Sequence, residues 1–425
     1  MRNQFREPIK LQYSNFHIDM TNSDHITSKQ PVSRFLIGLM AVSAGITVAN
    51  IYYNQPILKE IAADLGSTES QAGMVSMLSQ IGYGLGLFFL TPLGDKINKK
   101  KLIISLQILL IAALLLVTFT HSIFQLWALS LLISMFSVSV QVIMPMAAGM
   151  DSENRGKNVG TIFTGVLIGI LAARVFSGSI AEWLGWRYVY LISAGAVALA
   201  TVMLQIKLPN VPTRFSGSYP QLLGSALQQI KRFPLLREVS LVGILQFGLF
   251  CSFWTTLTFY LSGEPFNFSS NIIGLFGLVA IAGALLAPVF GKRADKGGSK
   301  KVRFIALGLI VVSILLMISL PTSIPALVLA VFLLDMGAQA IQVTNVAMIY
   351  TLDESSHSRI NTIYMTSFFT GGALGTLIGI YCWKYGGWLG VNLQMLLFAL
   401  VISVLLLKEK RKRLANIEVV EIAKA

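Results

Sequence analysis

The stretch GDKINKKK at residues 94–101 recurs as ADKGGSKK at residues 294–301, an offset of 200 residues. Further matches follow at nearly the same offset. They are Gln141-Val142 with Gln342-Val343, residues 151–158 with 353–361, and Gly185-Trp186 with Gly387-Trp388. Because every match falls at an equivalent place relative to the apolar runs around it, the sequence indicates two copies of one unit.

The apolar runs between these matches indicate a polytopic helical membrane protein. Of 425 residues, 54% are hydrophobic and 12% are charged, whereas soluble domains carry about 25% charged residues. Each run is long enough to cross ~30 Å of hydrocarbon as a helix, and none alternates as the strand of a membrane barrel does. We predict twelve spans, at 35–55, 71–92, 102–120, 124–149, 158–182, 187–208, 238–261, 271–291, 302–320, 325–350, 360–383 and 387–407.

The net charge of +14 is a topology signal. All but four of the 33 basic residues fall in the tails and in alternate loops on one side; the four others are Lys59, Arg174, Arg187 and Lys384. Loops rich in Lys and Arg stay in the cytoplasm, so we expect both termini there. This distribution explains the basic charge without a nucleic-acid partner. The first 33 residues lack the apolar core of a signal peptide.

These features divide the chain into five segments. Residues 209–236 are the one long hydrophilic stretch between the copies and contain four prolines. The predicted segments are a cytoplasmic tail (1–33), a six-helix half (34–208), a cytoplasmic linker (209–236), a second six-helix half (237–407) and a cytoplasmic tail (408–425). Parallel repeats of six spans are typical of transporters that bind substrate at the midplane between the halves.

The repeated loop resembles a motif of the major facilitator superfamily, Gly-x-Leu-x-Asp-(Arg/Lys)-x-Gly-(Arg/Lys)-(Arg/Lys). It is matched by Leu93, Asp95, Lys96, Lys99 and Lys100, while Thr91 and Asn98 replace its two glycines. Asn tolerates left-handed backbone, so Asn98 can still make the turn. The segments NIYYNQP (50–56) and LAARVFSG (171–178) look most like the bacterial twelve-span drug–proton antiporter branch, although the glycine–proline pattern usual in its span 5 is absent.

The resemblance implies an all-α fold of two pseudo-symmetric six-helix halves and a cytoplasmic lock. In that lock the acids would accept bonds from basic side chains and helix N-termini, which favour negative charge. The candidate gate residues are Asp95, Lys96, Lys99, Lys100, Asp151, Arg155, Asp295, Lys296 and Asp353. The positive-inside rule alone is the other explanation for the basic ones.

Spans 1, 4, 7 and 10 carry polar residues at helical spacing. Examples are Ser43, Thr47, Asn50 and Asn54 in span 1, and Asp335, Gln339 and Gln342 in span 10. The resemblance implies that these stripes line a central cavity; hydrogen-bonded seams between helices would produce the same pattern. The candidate substrate contacts are Asn50, Tyr53, Asn54, Gln141, Trp254, Gln339 and Gln342. Tyr53 fits equally an aromatic-belt anchor. Glycines three or four residues apart in spans 2, 5, 8 and 11 predict close helix packing, and the resemblance places these spans at the seam between halves.

Asp335 is the one acid at depth and Arg174 the one base. An unpaired carboxylate near the bilayer centre costs a few kcal/mol, so Asp335 is expected to be protonated or paired, with Arg174 as partner. We predict that the two couple proton binding to conformation. A static structural role for Asp335, or snorkelling of Arg174 to the headgroups, is the alternative.

The function predicted is secondary transport by alternating access, with proton-coupled efflux of a small organic molecule preferred over a proton-coupled importer or a uniporter. No phosphate-binding loop is present, and the His and Cys residues predict no metal or haem site and no cofactor. We expect no enzyme activity, since no catalytic constellation is visible. The expected partners are the substrate, protons and lipid. The expected form is a multi-pass monomer in a bacterial inner membrane.

Overall fold

The structure is a computed structural model that describes residues 33–151, 154–210, 218–284, 290, 298–353 and 356–422. No strand occurs in these ranges. Nine of the described helices are long and apolar enough to cross a membrane, and one of them, His357–Ile422, contains two spans separated at Gly387. With the two shorter apolar helices, every predicted span has a helix. The chain is an all-α membrane protein of two pseudo-symmetric six-helix halves.

The helix bounds follow the predicted spans with local differences. In chain order, spans 1–10 are Arg34–Ala49, Glu69–Lys96, Lys99–Val117, Ile123–Met150, Arg155–Leu184, Trp186–Lys207, Pro234–Ser262, Ser270–Ala284, Ser299–Ser319 and Ile324–Ile349, and spans 11 and 12 are 357–386 and 388–422. A further helix, Tyr219–Arg232, lies between the halves and is called the linker helix below.

Span 1 ends six residues earlier than predicted, at Ala49. The side-chain amide of Asn50 donates to the carbonyl oxygens of Ile46 (3.0 Å) and Thr47 (3.2 Å), and such side-chain bonds compete with continuation of a helix. Pro56 follows and has no N–H to offer. The segment 50–57 is therefore a buried series of turns.

Two caps explain where spans 2 and 3 begin. Thr68 and Gln71 form a capping box at the start of span 2. Asn98 accepts a hydrogen bond from the Lys101 backbone N–H at 3.2 Å and caps span 3. Asn98 does not use the left-handed conformation that asparagine tolerates, since its φ is −54°. A short polar side chain in the motif loop serves here as a helix cap.

Glycines allow backbone contact both inside each half and between halves. Within a half, a Cβ on Gly165 would lie 2.3 Å from the Ala41 carbonyl oxygen, and one on Gly375 would lie 2.1 Å from that of Gly248. Between halves, a Cβ on Gly274 of span 8 would lie 2.5 Å from the Arg174 carbonyl oxygen of span 5. Spans 2, 5, 8 and 11 do form the seam between halves, but several of their glycines pack against spans of their own half.

Candidate substrate-binding cavity

A cavity of about 120 Å³ lies between the two halves near mid-depth and is called the central cavity below. Its wall combines aromatic and aliphatic side chains with four glutamines, one acid and one base. The polar and charged lining residues are Gln141, Arg174, Gln246, Asp335, Gln339 and Gln342. Within the described residues, both halves contribute to this wall, so it would change shape if the halves moved relative to one another.

Arg174 occupies the wall on the side of the first half and is 2% exposed. Its Nε donates to Gln55 Oε1 at 2.8 Å, and its guanidinium lies 3.9 Å from the ring centre of Trp254. Such cation–π contacts gain strength when desolvated. Nη2 has no hydrogen-bond partner. The guanidinium is thus held in place without being fully satisfied.

Asp335 lies in the same wall, contributed by span 10, and is also 2% exposed. Its Oδ2 has no hydrogen-bond partner. The indole N–H of Trp254 lies beside the carboxyl without forming a hydrogen bond of normal geometry. Span 8 packs directly behind it, since a Cβ on Gly283 would lie 3.3 Å from Asp335 Cβ.

Arg174 and Asp335 share the cavity but form no direct ion pair. They interact through space, while the nearest bonded partner of Arg174 is Gln55. The direct ion pair expected from the sequence is therefore absent in this conformation. The cavity wall thus contains one acidic and one basic group that are not bonded to each other.

The glutamines predicted as contacts divide between halves. Gln141, Gln339 and Gln342 all line the central cavity, and Gln141 Nε2 donates to the Tyr83 hydroxyl at 3.1 Å. Pro145 leaves the backbone carbonyl of Gln141 without its usual helical partner, because proline has no N–H to donate four residues later.

The span 1 candidates lie elsewhere. Asn50 accepts from Ser193 of span 6 at 2.8 Å, and Asn54 accepts from Ser76 of span 2 at 2.6 Å. Tyr53 packs on Phe176, with ring centres 5.6 Å apart. None of these three lines the central cavity. For span 1, the polar stripe is a hydrogen-bonded seam, the alternative that the sequence left open.

Several lining residues carry no sequence signal of their own. The aromatic wall consists of Tyr52, Tyr83, Phe163, Phe247, Phe250, Phe368 and Phe369. Phe247 and Phe368 stack with ring centres 3.9 Å apart, and Tyr83 meets Phe369 across the halves at 4.4 Å. Trp254, a predicted contact, lies behind the wall over Arg174. Gln55 could have been found in the segment NIYYNQP, whereas apolar periodicity alone cannot separate a cavity-facing Phe from a packed one.

On one face of the molecule, called the distal face below, the halves are sealed. The Thr258 hydroxyl of span 7 donates to the Gln55 carbonyl oxygen at 2.6 Å, and Lys59 Nζ donates to the Ser262 carbonyl oxygen. Ser179 of span 5 donates to Asn271 of span 8 at 3.1 Å. These contacts join segments of both halves, so they must break before the distal face can open.

On the opposite face, called the linker face below, the halves are apart. A cavity of about 600 Å³ opens there and shares Gln141 and Met144 with the central cavity. The linker helix crosses its mouth: the Tyr219 hydroxyl donates to the Phe89 carbonyl oxygen at 2.5 Å, and Arg232 pairs with Asp353 at 2.9 Å. The central cavity is therefore adjacent to the cavity on the linker face, with Gln141 and Met144 between them.

Three of the candidate gate residues lie at this opening. Asp95, Lys99 and Arg155 line it, and Asp151 accepts from the Asn154 backbone N–H at 3.0 Å. Among the described residues, Asp95 forms no ion pair. No bond is found there for Lys96 or Lys100, and Asp295 and Lys296 lie outside the described residues. Within the same ranges, no group of three or more His, Cys, Asp or Glu is placed to hold a metal ion.

Comparison with known proteins identifies the fold. The family model described as Major Facilitator Superfamily matches residues 40–352 and 242–421. The uncharacterized transporter YgaY of Escherichia coli O157:H7 is 39% identical over 383 residues, which cover 90% of this chain and 96% of the relative.

Solved structures show the same architecture. The crystal structure of a bacterial homologue of the human lysosomal transporter Spinster, in an inward-facing and occupied conformation, superposes with a TM-score of 0.71. It is 12% identical, and the match covers 88% of this chain and 95% of that one. The nucleoside transporter NupG, solved as a mutant, gives a TM-score of 0.67 at 14% identity, covering 88% and 98% of the two chains.

Proposed function

The chain belongs to the Major Facilitator Superfamily and is a multi-pass membrane transporter rather than an enzyme, and we propose that it is a proton-coupled antiporter. In this proposal it exports a small organic molecule by alternating access, and the central cavity is the substrate site. Asp335 carries the proton, and Arg174 helps to set the charge state of the cavity. The proposal also places the chain in the bacterial twelve-span drug–proton antiporter branch.

The observation that carries the proposal is one buried carboxylate in a cavity shared by both halves. Asp335 is the one acid among the residues that line the central cavity. A proton and a positively charged substrate group cannot occupy that carboxylate together. The site faces the two sides of the membrane alternately and holds either the proton or the substrate. A proton carried in one direction is therefore exchanged for a substrate molecule carried in the other.

The open linker face is assigned to the cytoplasm in this proposal. The basic residues of the tails and of the loops on that face support the assignment, and it makes the described conformation inward-open. Both termini are then cytoplasmic, the domain boundaries are those predicted above, and the protein acts as a monomer in a bacterial inner membrane.

The gate residues close the linker face in the opposite conformation. Asp95 and Arg155 lie on the rim of the open cavity, where approach of the halves would bring acids and bases together. Asp151 and Asp353, at the ends of spans 4 and 10, belong to the same lock, as do Lys96, Lys99, Lys100, Asp295 and Lys296. Exposed ion pairs of this kind contribute about 0–1 kcal/mol each, which suits contacts that break in every cycle.

The test uses purified full-length protein in proteoliposomes that contain a pH-sensitive dye. An imposed pH gradient is combined with a panel of amines, organic acids, amino acids and neutral metabolites. We expect substrate-dependent proton movement in the wild type and its loss in Asp335→Asn. Glu182→Gln removes an exposed acid of span 5 and serves as the matched control.

Three results would contradict the proposal. Gradient-driven accumulation that persists in Asp335→Asn removes Asp335 from coupling. Proton movement in the same direction as the substrate identifies an importer or symporter, and transport without any proton movement identifies a uniporter.

A further inference from the structure

The central cavity wall holds unpartnered hydrogen-bonding atoms of both kinds and both charges. Arg174 Nη2 is a cationic donor without a partner, and Asp335 Oδ2 is an acceptor without one. Gln246 Oε1, a neutral acceptor in the same wall, is also unpaired. Buried polar groups are almost always satisfied, and an unsatisfied charged group is the most costly kind. Three such atoms in one small cavity indicate groups that a ligand satisfies.

The two charges are also kept from satisfying each other. Arg174 is held by Gln55 and by the face of Trp254, and no ion pair links it to Asp335. Had the wall evolved only to bury the two charges, direct pairing would be the cheaper arrangement, because breaking a buried pair is strongly destabilising. Their separation leaves room for a ligand that bridges them.

We propose that the substrate is a small zwitterion of amino-acid type, an inference that rests on the transport function proposed above. Its carboxylate accepts from Arg174 Nη2, and its ammonium group donates to Asp335 Oδ2 and Gln246 Oε1. These atoms are buried in this conformation, so rotation of their terminal torsions must turn them toward the ligand. An organic anion would leave Asp335 unsatisfied, and an organic cation would leave Arg174 unsatisfied.

The rest of the wall specifies an apolar side chain on this zwitterion. Phe247, Phe250 and Phe368 form a contiguous aromatic surface, with Phe247 and Phe368 stacked at 3.9 Å. The cavity of about 120 Å³ is close in size to an engineered apolar cavity of about 150 Å³ that binds benzene. A single ring or a branched aliphatic group therefore fits against this surface.

The same arrangement explains how substrate transport is coupled to proton transport without any other titratable residue. The substrate ammonium and the transported proton compete for one oxygen of Asp335. Substrate binding thus requires the ionised carboxylate, and protonation of the carboxylate releases the substrate.

The test measures binding of three probes with one aromatic body to purified full-length protein. L-Phenylalanine carries both charges, 2-phenylethylamine carries only the ammonium, and 3-phenylpropionate carries only the carboxylate. Titrations followed by thermal unfolding give apparent dissociation constants, because a ligand that binds the folded state stabilises it by mass action. We expect L-phenylalanine to bind at least tenfold more tightly than either probe with one charge.

Variants assign each charge to its partner. Arg174→Gln should remove the preference for L-phenylalanine over 2-phenylethylamine, and Asp335→Asn should remove the preference over 3-phenylpropionate. Lys384→Gln and Glu182→Gln each delete an exposed charge outside the cavity and should retain both preferences. A variant that only unfolds the protein would lower binding of all three probes equally.

The outcomes separate this proposal from the transport function. Equal binding of 2-phenylethylamine identifies a cation site, equal binding of 3-phenylpropionate identifies an anion site, and binding of none at millimolar concentration excludes this class; each overturns the zwitterion. If Asp335→Asn still abolishes proton movement with another panel compound, the transport function stands. If the zwitterion preference is found but Asp335→Asn retains gradient-driven transport, the substrate class stands and the proton role falls.

Discussion

Gln55 connects three segments of the molecule through one residue. Its side-chain oxygen accepts from Arg174 of span 5, and its backbone oxygen accepts from Thr258 of span 7. It lies in the turns that follow span 1, where Asn50 ends the helix. A residue at the end of one helix thus holds the cationic side of the cavity and part of the distal seal.

Gln55→Ala should destabilise the protein by about 1–3 kcal/mol, because it leaves a second nitrogen of a buried guanidinium unpaired. The measurement is the melting temperature of the purified protein in detergent. Gln228→Ala, an exposed position of the linker helix, is the control and should melt with the wild type. Equal melting of the two variants would show that the bond to Arg174 contributes nothing.

Glu60 lies in the short helix Leu58–Asp64, outside the spans. Burial raises its pKa above the usual 4.5, and the nearby Glu182 raises it further. The folded state then binds the proton more tightly than the unfolded chain, so stability falls as pH rises through the folded-state pKa. Glu60→Gln should melt above the wild type at about pH 8, and the difference should disappear near pH 4. A difference that does not change with pH would contradict this account.

At the scale of elements, closely spaced glycines bring together different pairs of helices. In spans 5 and 11 it brings helices of one half together, as Gly165 and Gly375 show, whereas Gly274 brings span 8 against span 5 of the other half. The backbone of span 8 can approach Arg174 only because Gly274 and Gly277 have no side chain. The position of Arg174 in the wall therefore depends on this contact between helices.

Gly274→Ala should lower the melting temperature and reduce transport, because its Cβ would lie 2.5 Å from the Arg174 carbonyl oxygen and force spans 5 and 8 apart. Gly308→Ala is the matched control in span 9, where a Cβ meets nothing within 4 Å. Alanine favours helix over glycine by up to ~1 kcal/mol, so the control should melt at or above the wild type. If the two variants have the same melting temperature and transport, close contact between spans 5 and 8 is not required.

At the scale of the whole molecule, the halves meet on the distal face and part on the linker face. Ser179 and Asn271 are in hydrogen-bond contact across the distal seam. Alternating access requires that this contact break once in each cycle.

A disulfide between Ser179→Cys and Asn271→Cys should therefore stop transport under mild oxidation, and a reductant should restore it. The experiment uses a Cys382→Ser background, since Cys251 is buried. Mass spectrometry checks that the bond forms, and the two single-cysteine variants are controls that oxidation should leave active. Full transport by the cross-linked protein would exclude opening at this seam.

Much of the architecture could be predicted without coordinates. The order of residues in the chain is enough to find the repeated loop, the twelve apolar runs and the depth of Asp335. The described helices agree with the predicted spans apart from their ends. Gln141, Gln339 and Gln342, which the sequence predicts as substrate contacts, line the central cavity, and their contact with a substrate stays a prediction. Their polar side chains would be costly in lipid, which leaves a cavity or a partner helix.

The sequence by itself determined that this protein is a duplicated bundle in a membrane with one acid and one base at depth, because burial in lipid imposes length and polarity on every span. Only the tertiary structure decided which polar stripe faces the cavity. Asn50 and Asn54 pack against spans 6 and 2, while Gln339 and Gln342, which also follow helical periodicity, line the cavity. Periodicity defines a stripe on a helix, but the rotation of that helix against its neighbours depends on contacts between residues far apart in the chain.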